Sequence, residues 1–328
     1  MLSDLVLHGV PIGEVSERAA QVEALGFDAV GVTETNGNPF LAAAQAALAT
    51  SRVRVTTAIA LAFPRSPMDV AYTAWDLQAL SDGRFALGLG SQVRAHVERR
   101  YGAAWSHPAA RMREYVLALG AIWEAWESGG ELDFRGDFYS HTLMPANFRP
   151  PATEHPRPPV LLAAVRERMT EVAGEVADGF LGHAFCSEEV LREVTLPALE
   201  RGLERAGRSR PDLEVTASVF VARTDEEWEA CRRRVAFYGS TPGYRHVLDH
   251  HGLGAIHDAL HRLSRSGGWA EMPAVVDDDV LALFAVRGED PIATADAVRE
   301  RVRGVADRVG LVTESADPAA LASVATAL

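Results

Sequence analysis

The sequence predicts an α/β fold, a (β/α)8 TIM-type barrel with two insertions, and three observations carry that prediction. Short β-branched apolar runs alternate with helical segments along most of the chain, as in folds built on a parallel sheet. Eight such runs can be counted, the number that closes a barrel. The runs 53–61 (VRVTTAIAL) and 85–90 (FALGLG) are apolar on both faces, as strands buried on two sides must be. Joined by one helix, they form a right-handed βαβ unit, which puts the loops that carry chemistry at the carboxyl ends of the strands. A length of 328 residues suits one barrel with insertions, so a single domain over 1–328 is expected.

In chain order, strand one covers 5–10 and a helix at about 13–25 stops at Gly26. Strand two covers 28–33, its exit loop is ETNGNPF, and an alanine-rich helix follows at 40–50. Pro64 and Pro67 end strand three. The helix 68–80 repeats Val70, Ala71, Ala74, Leu77 and Leu80 at helical spacing, and Asp82-Gly83 stops it. Strand four is 85–90. A long helix over 108–128 carries Met112, Tyr115, Leu119, Ile122, Trp123 and Trp126 on one apolar face, read as core. Alternation around Arg135-Gly136-Asp137 predicts an inserted hairpin near 131–140, and the proline-rich stretch 145–159 an extended crossing. Strands five, six and seven are expected at 159–165, 179–185 and 213–222, with helices near 167–177, 187–206 and 225–238. A helical insert near 241–285 precedes a helix at 291–304, strand eight at 308–313 and a last helix at 318–328.

Composition narrows the function. The net charge is −13, which disfavours nucleic-acid binding, since phosphates need a basic surface. Cys186 and Cys231 are too few for a disulfide framework or a thiolate metal site. The N-terminal residues MLSDLVLHGVPIG have neither a basic start nor a sustained apolar run, so no signal peptide or membrane span is expected and the cytoplasm is the expected location.

Within this frame, GLGS at 88–91 is a candidate phosphate contact: glycines admit backbone N–H groups to an anion and the serine adds a donor, although a plain turn reads the same way. Arg94, Arg99 and Arg100 follow it, with Arg65 nearby in the predicted fold. Guanidinium forks suit phosphate and carboxylate, and a solvated helix face is the alternative. His8, His96 and His183 are candidate proton relays expected to point to the barrel mouth. Tyr101 and Trp105 are candidate pocket walls. His246/His250 and His257/His261 have the i,i+4 spacing that chelates zinc, but Gly252 and Gly254 break the face and no metal is expected.

The segments TxxALAFPRSP at 57–67, LSxGRFxLGLGSQVRAHxERRYG at 80–102 and RMREYVxALxAIWxAW at 111–126 resemble the bacterial luciferase-like superfamily, in its branch of F420-dependent oxidoreductases. AGEVADG, LREVxLPAL, AFYGSTPxYRxVL and FAVRGE, between 173 and 289, fit the same branch. The resemblance implies a barrel that binds coenzyme F420 and passes a hydride between deazaflavin C5 and a small-molecule substrate, reducing an activated C=C or C=N bond or oxidising an alcohol. It implies that Gly90, Ser91 and Gln92 hold the cofactor's phosphate side, and Arg94 fits the polyglutamate tail. It also implies a bulge near Ala58, Ile59 and Ala60 against the ring, and a ribityl-phosphate contact at Ala164, Val165 and Arg166. Glu34 matches an acidic residue that meets the ring's pyrimidine edge, but Thr35 replaces the histidine that commonly follows. Val93 stands where sugar-phosphate-oxidising relatives have a glutamate, which argues against a glucose-6-phosphate dehydrogenase. The insert after strand seven covers the active site in this superfamily, bringing Tyr238, Ser240 and Tyr244 toward substrate. A homodimer is expected. Two other readings stay open: an FMN-dependent monooxygenase, and a cofactor-free barrel acting as a binding partner, because the bulky AAVRER at 163–168 replaces a small glycine-rich turn.

Overall fold

The computed structural model describes residues 1–313 and 318–328. Eight parallel strands close a barrel: β1 (Leu2–Leu7), β2 (Ala29–Val32), β3 (Arg54–Thr57), β4 (Phe85–Gly90), β5 (Val160–Ala163), β6 (Gly179–Leu181), β7 (Glu214–Val221) and β8 (Arg308–Val312). Each pairs with its sequence neighbour, and β1 meets β8 with Leu2 beside Arg308. The expected barrel is therefore present, with the strands somewhat shorter than read. The first strand begins at Leu2, because its pairing with β8 begins there, and ends before His8. The run 53–61 is not one strand. Its ladder resumes at Ala60–Leu61 after Ala58 and Ile59, whose peptide bond is cis. Thr56 pairs with Ala86 and Ala60 with Leu89, four steps against three, so β3 carries one extra residue as a bulge.

Helix starts follow a repeated local rule. Asn38-Pro39, Ser66-Pro67 and Asp290-Pro291 each pair a side-chain cap with proline in the first turn. Asn38 accepts from Phe40 N–H, Ser66 from Met68 N–H and Asp290 from Ala293 N–H. Proline has no N–H to leave unsatisfied there. The helix Pro108–Ser128 buries Met112, Tyr115, Leu119, Ile122 and Trp123 completely and ends at left-handed Gly129. The hairpin pairs Phe134–Arg135 with Ser140–His141. The insert contains the helices Arg245–His250 and Gly254–Ser266, and a second apolar cluster beneath it includes Phe185, stacked on Phe284 at 4.3 Å between ring centres. Among the described residues no helix is long and apolar enough to cross a membrane.

Candidate active site

Small residues hollow the barrel lumen. A Cβ on Gly88 would sit 1.8 Å from the Thr57 carbonyl oxygen, and one on Gly31 would sit 2.9 Å from a Val6 methyl. Ion pairs floor the space: Arg308 Nε lies 3.1 Å from both Asp4 carboxylate oxygens, and Arg54 Nη2 3.1 Å from Glu214 Oε2. Above that floor a cleft of about 1180 Å³ opens toward the carboxyl ends of the strands. It exceeds the usual span of single-ligand pockets, roughly 300–1,000 Å³.

Most of the residues singled out from sequence border this one cleft: His8, Ala58, Ile59, Gly90, Ser91, Gln92, Arg94, Trp105, Ala164, Val165, Arg166, His183, Tyr238 and Tyr244. The Ile59 side chain lies over Gly90, where a Cβ would come within 2.6 Å of Ile59 Cδ1. Gln92 takes a left-handed backbone, φ 59°, that swings the loop into the short helix Arg94–Arg99. Neither that helix nor Glu167–Val176 has a side-chain cap, so their first N–H groups are left for solvent or a ligand, and residues of both opening turns border the cleft. Arg94, Arg166 and Arg168 stand at these two starts. Arg166 donates to the Pro242 carbonyl at 3.2 Å and Arg94 to Glu98 at 2.9 and 3.0 Å, the latter an exposed pair that water screens. The bulky AAVRER residues line the rim and leave the cleft open.

Eight expected residues do not border the cleft: Glu34, Ala60, Arg65, His96, Arg99, Arg100, Tyr101 and Ser240, of which Arg99 is exposed on its short helix and Arg65 is spent on Glu34. Glu34 is buried, and all its acceptor capacity is taken. Oε2 accepts from Leu61 N–H at 2.7 Å and Arg65 Nη1 at 2.8 Å, and Oε1 from Arg65 Nη2 at 2.9 Å and the Tyr101 hydroxyl at 2.8 Å. Tyr101 is thereby a strut for Glu34 instead of a pocket wall. Burial, and then the Glu34 carboxylate, push its hydroxyl above the usual phenol range. Arg100 donates to the Thr35 carbonyl and lies over the Tyr101 ring, so it braces the same loop. Ala60 is fully buried, because the extra residue of the bulge turns it back into the ladder with Leu89. His96 is exposed on the helix whose inward residue is Val97. Ser240 is buried, with its hydroxyl given to the Phe237 carbonyl at 2.7 Å.

The two remaining histidines face one space. Ring centres of Tyr238 and Tyr244 lie 4.4 and 4.8 Å from that of His183. The Phe185 N–H donates to His183 Nδ1 at 2.9 Å, so in the neutral ring the proton sits on Nε2. Desolvation within the cleft lowers His183 to about 4, with His8 and Arg234 adding to it. His8 is lowered to about 4 by the same cause and Arg234, although it is exposed at the mouth and water offsets part of that effect, so each imidazole is neutral near pH 7. Burial also raises the Tyr244 phenol. His107, Arg168, Met169 and Arg234 also border the cleft and were not foreseen. A helix read as starting near 167 was the available signal for Arg168, whose place in the first turn follows from that start.

Comparison with known proteins supports this architecture. A family model described as luciferase-like monooxygenase matches residues 3–311. An uncharacterized protein of Mycobacterium tuberculosis is 48% identical over 305 residues, covering 91% of this chain and 89% of its own length. A 5,10-methylenetetrahydromethanopterin reductase of Archaeoglobus fulgidus is 28% identical over 289 residues, covering 85% and 82%. Among solved structures, the coenzyme F420-dependent tetrahydromethanopterin reductase of Methanopyrus kandleri superposes with a TM-score of 0.80 at 20% identity, over 99% of this chain and 96% of that one. The oxygenating constituent of 3,6-diketocamphane monooxygenase of Pseudomonas putida, solved with FMN, gives 0.69 at 16% identity over 99% and 96%. With the model spanning the whole barrel, from the first strand to the last, the chain belongs to the luciferase-like monooxygenase family.

Proposed function

We propose that this chain is an F420-dependent oxidoreductase that transfers a hydride between deazaflavin C5 and a small organic substrate, reducing an activated C=C or C=N bond or oxidising an alcohol. The observation that carries the reading is the basic mouth of the cleft. Two helix starts without side-chain caps, together with Arg94, Arg166 and Arg168, gather positive potential in a chain of net charge −13. A phosphate and a polyanionic tail both fit that mouth. FMN ends at its phosphate and has no tail to reach the outer arginines.

Coenzyme F420 supplies the hydride chemistry when bound, and the residues of this chain supply alignment and a hydrogen-bond donor for charge that develops on the substrate. Gly90, Ser91 and Gln92, with the opening turns of Arg94–Arg99 and Glu167–Val176, receive the anionic portion. Ile59 on Gly90 offers a flat apolar face for a ring. Tyr238 and Tyr244, packed on His183, and Trp105, packed on Phe63, supply apolar wall to the cleft where a substrate would lie. His183, which holds its one proton on Nε2, is placed to donate a hydrogen bond to a developing anion without giving that proton up, and His8 stands on the same space. Neither Glu34 nor His96 has a place in this scheme.

The test is a pair of binding titrations on the full chain with coenzyme F420 and FMN. Binding of F420 with FMN unbound supports the reading, whereas FMN binding without F420 overturns it in favour of a monooxygenase. Mixing the protein with reduced F420 and a panel of enones, imines and dehydro-amino acids then identifies the substrate class, through recovery of the oxidised deazaflavin absorbance.

A further inference from the structure

A second group of ligating side chains lies outside the cleft, where the insert meets the loop after β6. Glu189 and Glu193 are four residues apart on a helical segment that passes through a π turn, Leu191–Thr195, and both are exposed. π turns widen a helix and recur at functional sites. From the insert, His250 ends the helix Arg245–His250 and brings Nε2 to 3.3 Å from Glu193 Oε2 and 3.8 Å from Glu189 Oε1. One ligand atom from each of the three lies within 4.8 Å of the others. Yet Nε2, closed off from solvent, makes no hydrogen bond to either carboxylate.

A supporting layer fixes Glu189. Its Oε2 is 3.3 Å from Nδ1 of His251. A carboxylate has no proton to give, so Nδ1 carries the ring proton and Nε2 accepts from the Ser187 hydroxyl at 2.7 Å. Ser187 in turn accepts from Val190 N–H at 3.1 Å, as the cap of the segment that bears Glu189. The chain Ser187, His251, Glu189 thus holds one carboxylate with its other oxygen turned to His250, as outer partners orient metal ligands.

An imidazole nitrogen converging with two carboxylates, close to both but bonded to neither, has the spacing that a tetrahedral ion would impose. Bonds of about 2.0–2.2 Å from zinc to nitrogen and oxygen set neighbouring ligand atoms roughly 3.3 Å apart. We propose that Glu189, Glu193 and His250 bind a divalent transition-metal ion, zinc foremost, leaving an open position for water. One nitrogen and two oxygens suit zinc or manganese, whereas magnesium prefers oxygen ligands and keeps its waters. The ion joins the β6 exit loop to the helix Arg245–His250, and the residues just before that helix, Pro242 to Tyr244, wall the cleft. It therefore acts as a clip that holds the insert over the cleft. The sequence spacing had pointed elsewhere: His250 is partnered with Glu193, and the turns of chain between them hid the pairing.

The test uses the tag-free full chain, stripped with a chelator that is then dialysed away, and calorimetric titration with zinc chloride. One zinc per chain, a rise in melting temperature on loading, and no comparable response to magnesium chloride are expected. His250→Ala and Glu193→Gln should each weaken zinc at least tenfold while the zinc-free variants melt as folded proteins. Absence of zinc uptake overturns the proposal. So does uptake of equal affinity in both variants, which would place the ion elsewhere. None of these readouts involves F420 or turnover, so the outcome is independent of the proposed oxidoreductase function.

Discussion

Arg65 grips Glu34 with both terminal guanidinium nitrogens, at 2.8 and 2.9 Å, in a site where the Glu34 side chain is only 3% exposed. The same carboxylate holds Leu61 N–H, one residue past the bulge, and the Tyr101 hydroxyl. The pair therefore sets where the β3 exit and the loop after β4 lie relative to β2. Arg65→Met would strand the carboxylate among two neutral donors. Removing one partner of a buried pair costs about 3–5 kcal/mol. We expect urea denaturation to show a loss near the lower end of that range, since two hydrogen bonds to Glu34 survive. If Glu34 instead served substrate, Arg65→Met would leave stability unchanged and alter only turnover.

Gly88 and Gly90 differ in what a side chain would strike. At Gly88 it meets the Thr57 carbonyl at 1.8 Å, backbone that cannot yield without breaking the β3–β4 ladder. At Gly90 it meets the end of the Ile59 side chain, which can turn aside. Gly88→Ala should therefore cost at least the 1–3 kcal/mol of ordinary overpacking and reduce soluble yield. Gly90→Ala should fold with a near-native melting temperature and bind F420 more weakly, because Ile59 is displaced into the cleft. Equal stability losses for the two would show that Ile59 is as immobile as the backbone.

How much of this was legible in sequence follows from how local each cause is. Strand runs buried on both faces and the glycine-rich exit of β4 are local, and each appeared near its expected place. Partner choice is not local. The acidic residue at the end of β2 was visible, but nothing near Glu34 in sequence shows that Arg65 and Tyr101, 31 and 67 residues away, consume it. His96 follows the arginine-rich loop, and only the exact phase of a six-residue helix decides that Val97 goes inward and His96 outward. The bulge hid Ala60 in the same way, because one extra residue in a strand reverses which face a side chain takes. Ser240 was lost to its own helix end, where its hydroxyl bonds the carbonyl three residues back.

Ser91 tests the anion site directly. It is half-buried in the loop after β4, and its hydroxyl reaches only the Gln92 carbonyl at 3.2 Å. Ser91→Asp should abolish F420 binding by setting a carboxylate against the phosphate, with folding retained. Arg94→Ala should weaken F420 more than a tail-less deazaflavin, and added salt should shrink the difference because the contact is electrostatic and exposed. Fluorescence titration of both ligands checks this. Equal weakening would mean that Arg94 only steadies its helix through Glu98. Wild-type affinity in Ser91→Asp would move the phosphate away from this loop.

The two neutral histidines give the chain a defined acid response. Desolvation in the cleft, aided by Arg234 and for His183 first by His8, lowers His8 and His183 from an ordinary value near 6.5 to about 4, with His8 the more exposed of the two. Between those values the unfolded chain binds protons that the folded one refuses. Stability is thus complete above about pH 6.5 and falls as the pH drops toward 4, below which both states are protonated and the loss levels off. His8 borders the open cleft and keeps some water, so the larger share belongs to His183, whose Nδ1 already accepts the Phe185 N–H. Protonating Nδ1 would break that bond. His183→Asn should flatten the decline in melting temperature between pH 6.5 and 4 more than His8→Asn does. If the decline were unchanged in both variants, the acid sensitivity would reside in carboxylates that a basic partner holds low, such as Glu171 with Arg201. At neutral pH the same substitution at His183 should slow turnover with reduced F420 while leaving F420 affinity near native, the split expected of a hydrogen-bond donor to the reacting substrate that does not hold the cofactor.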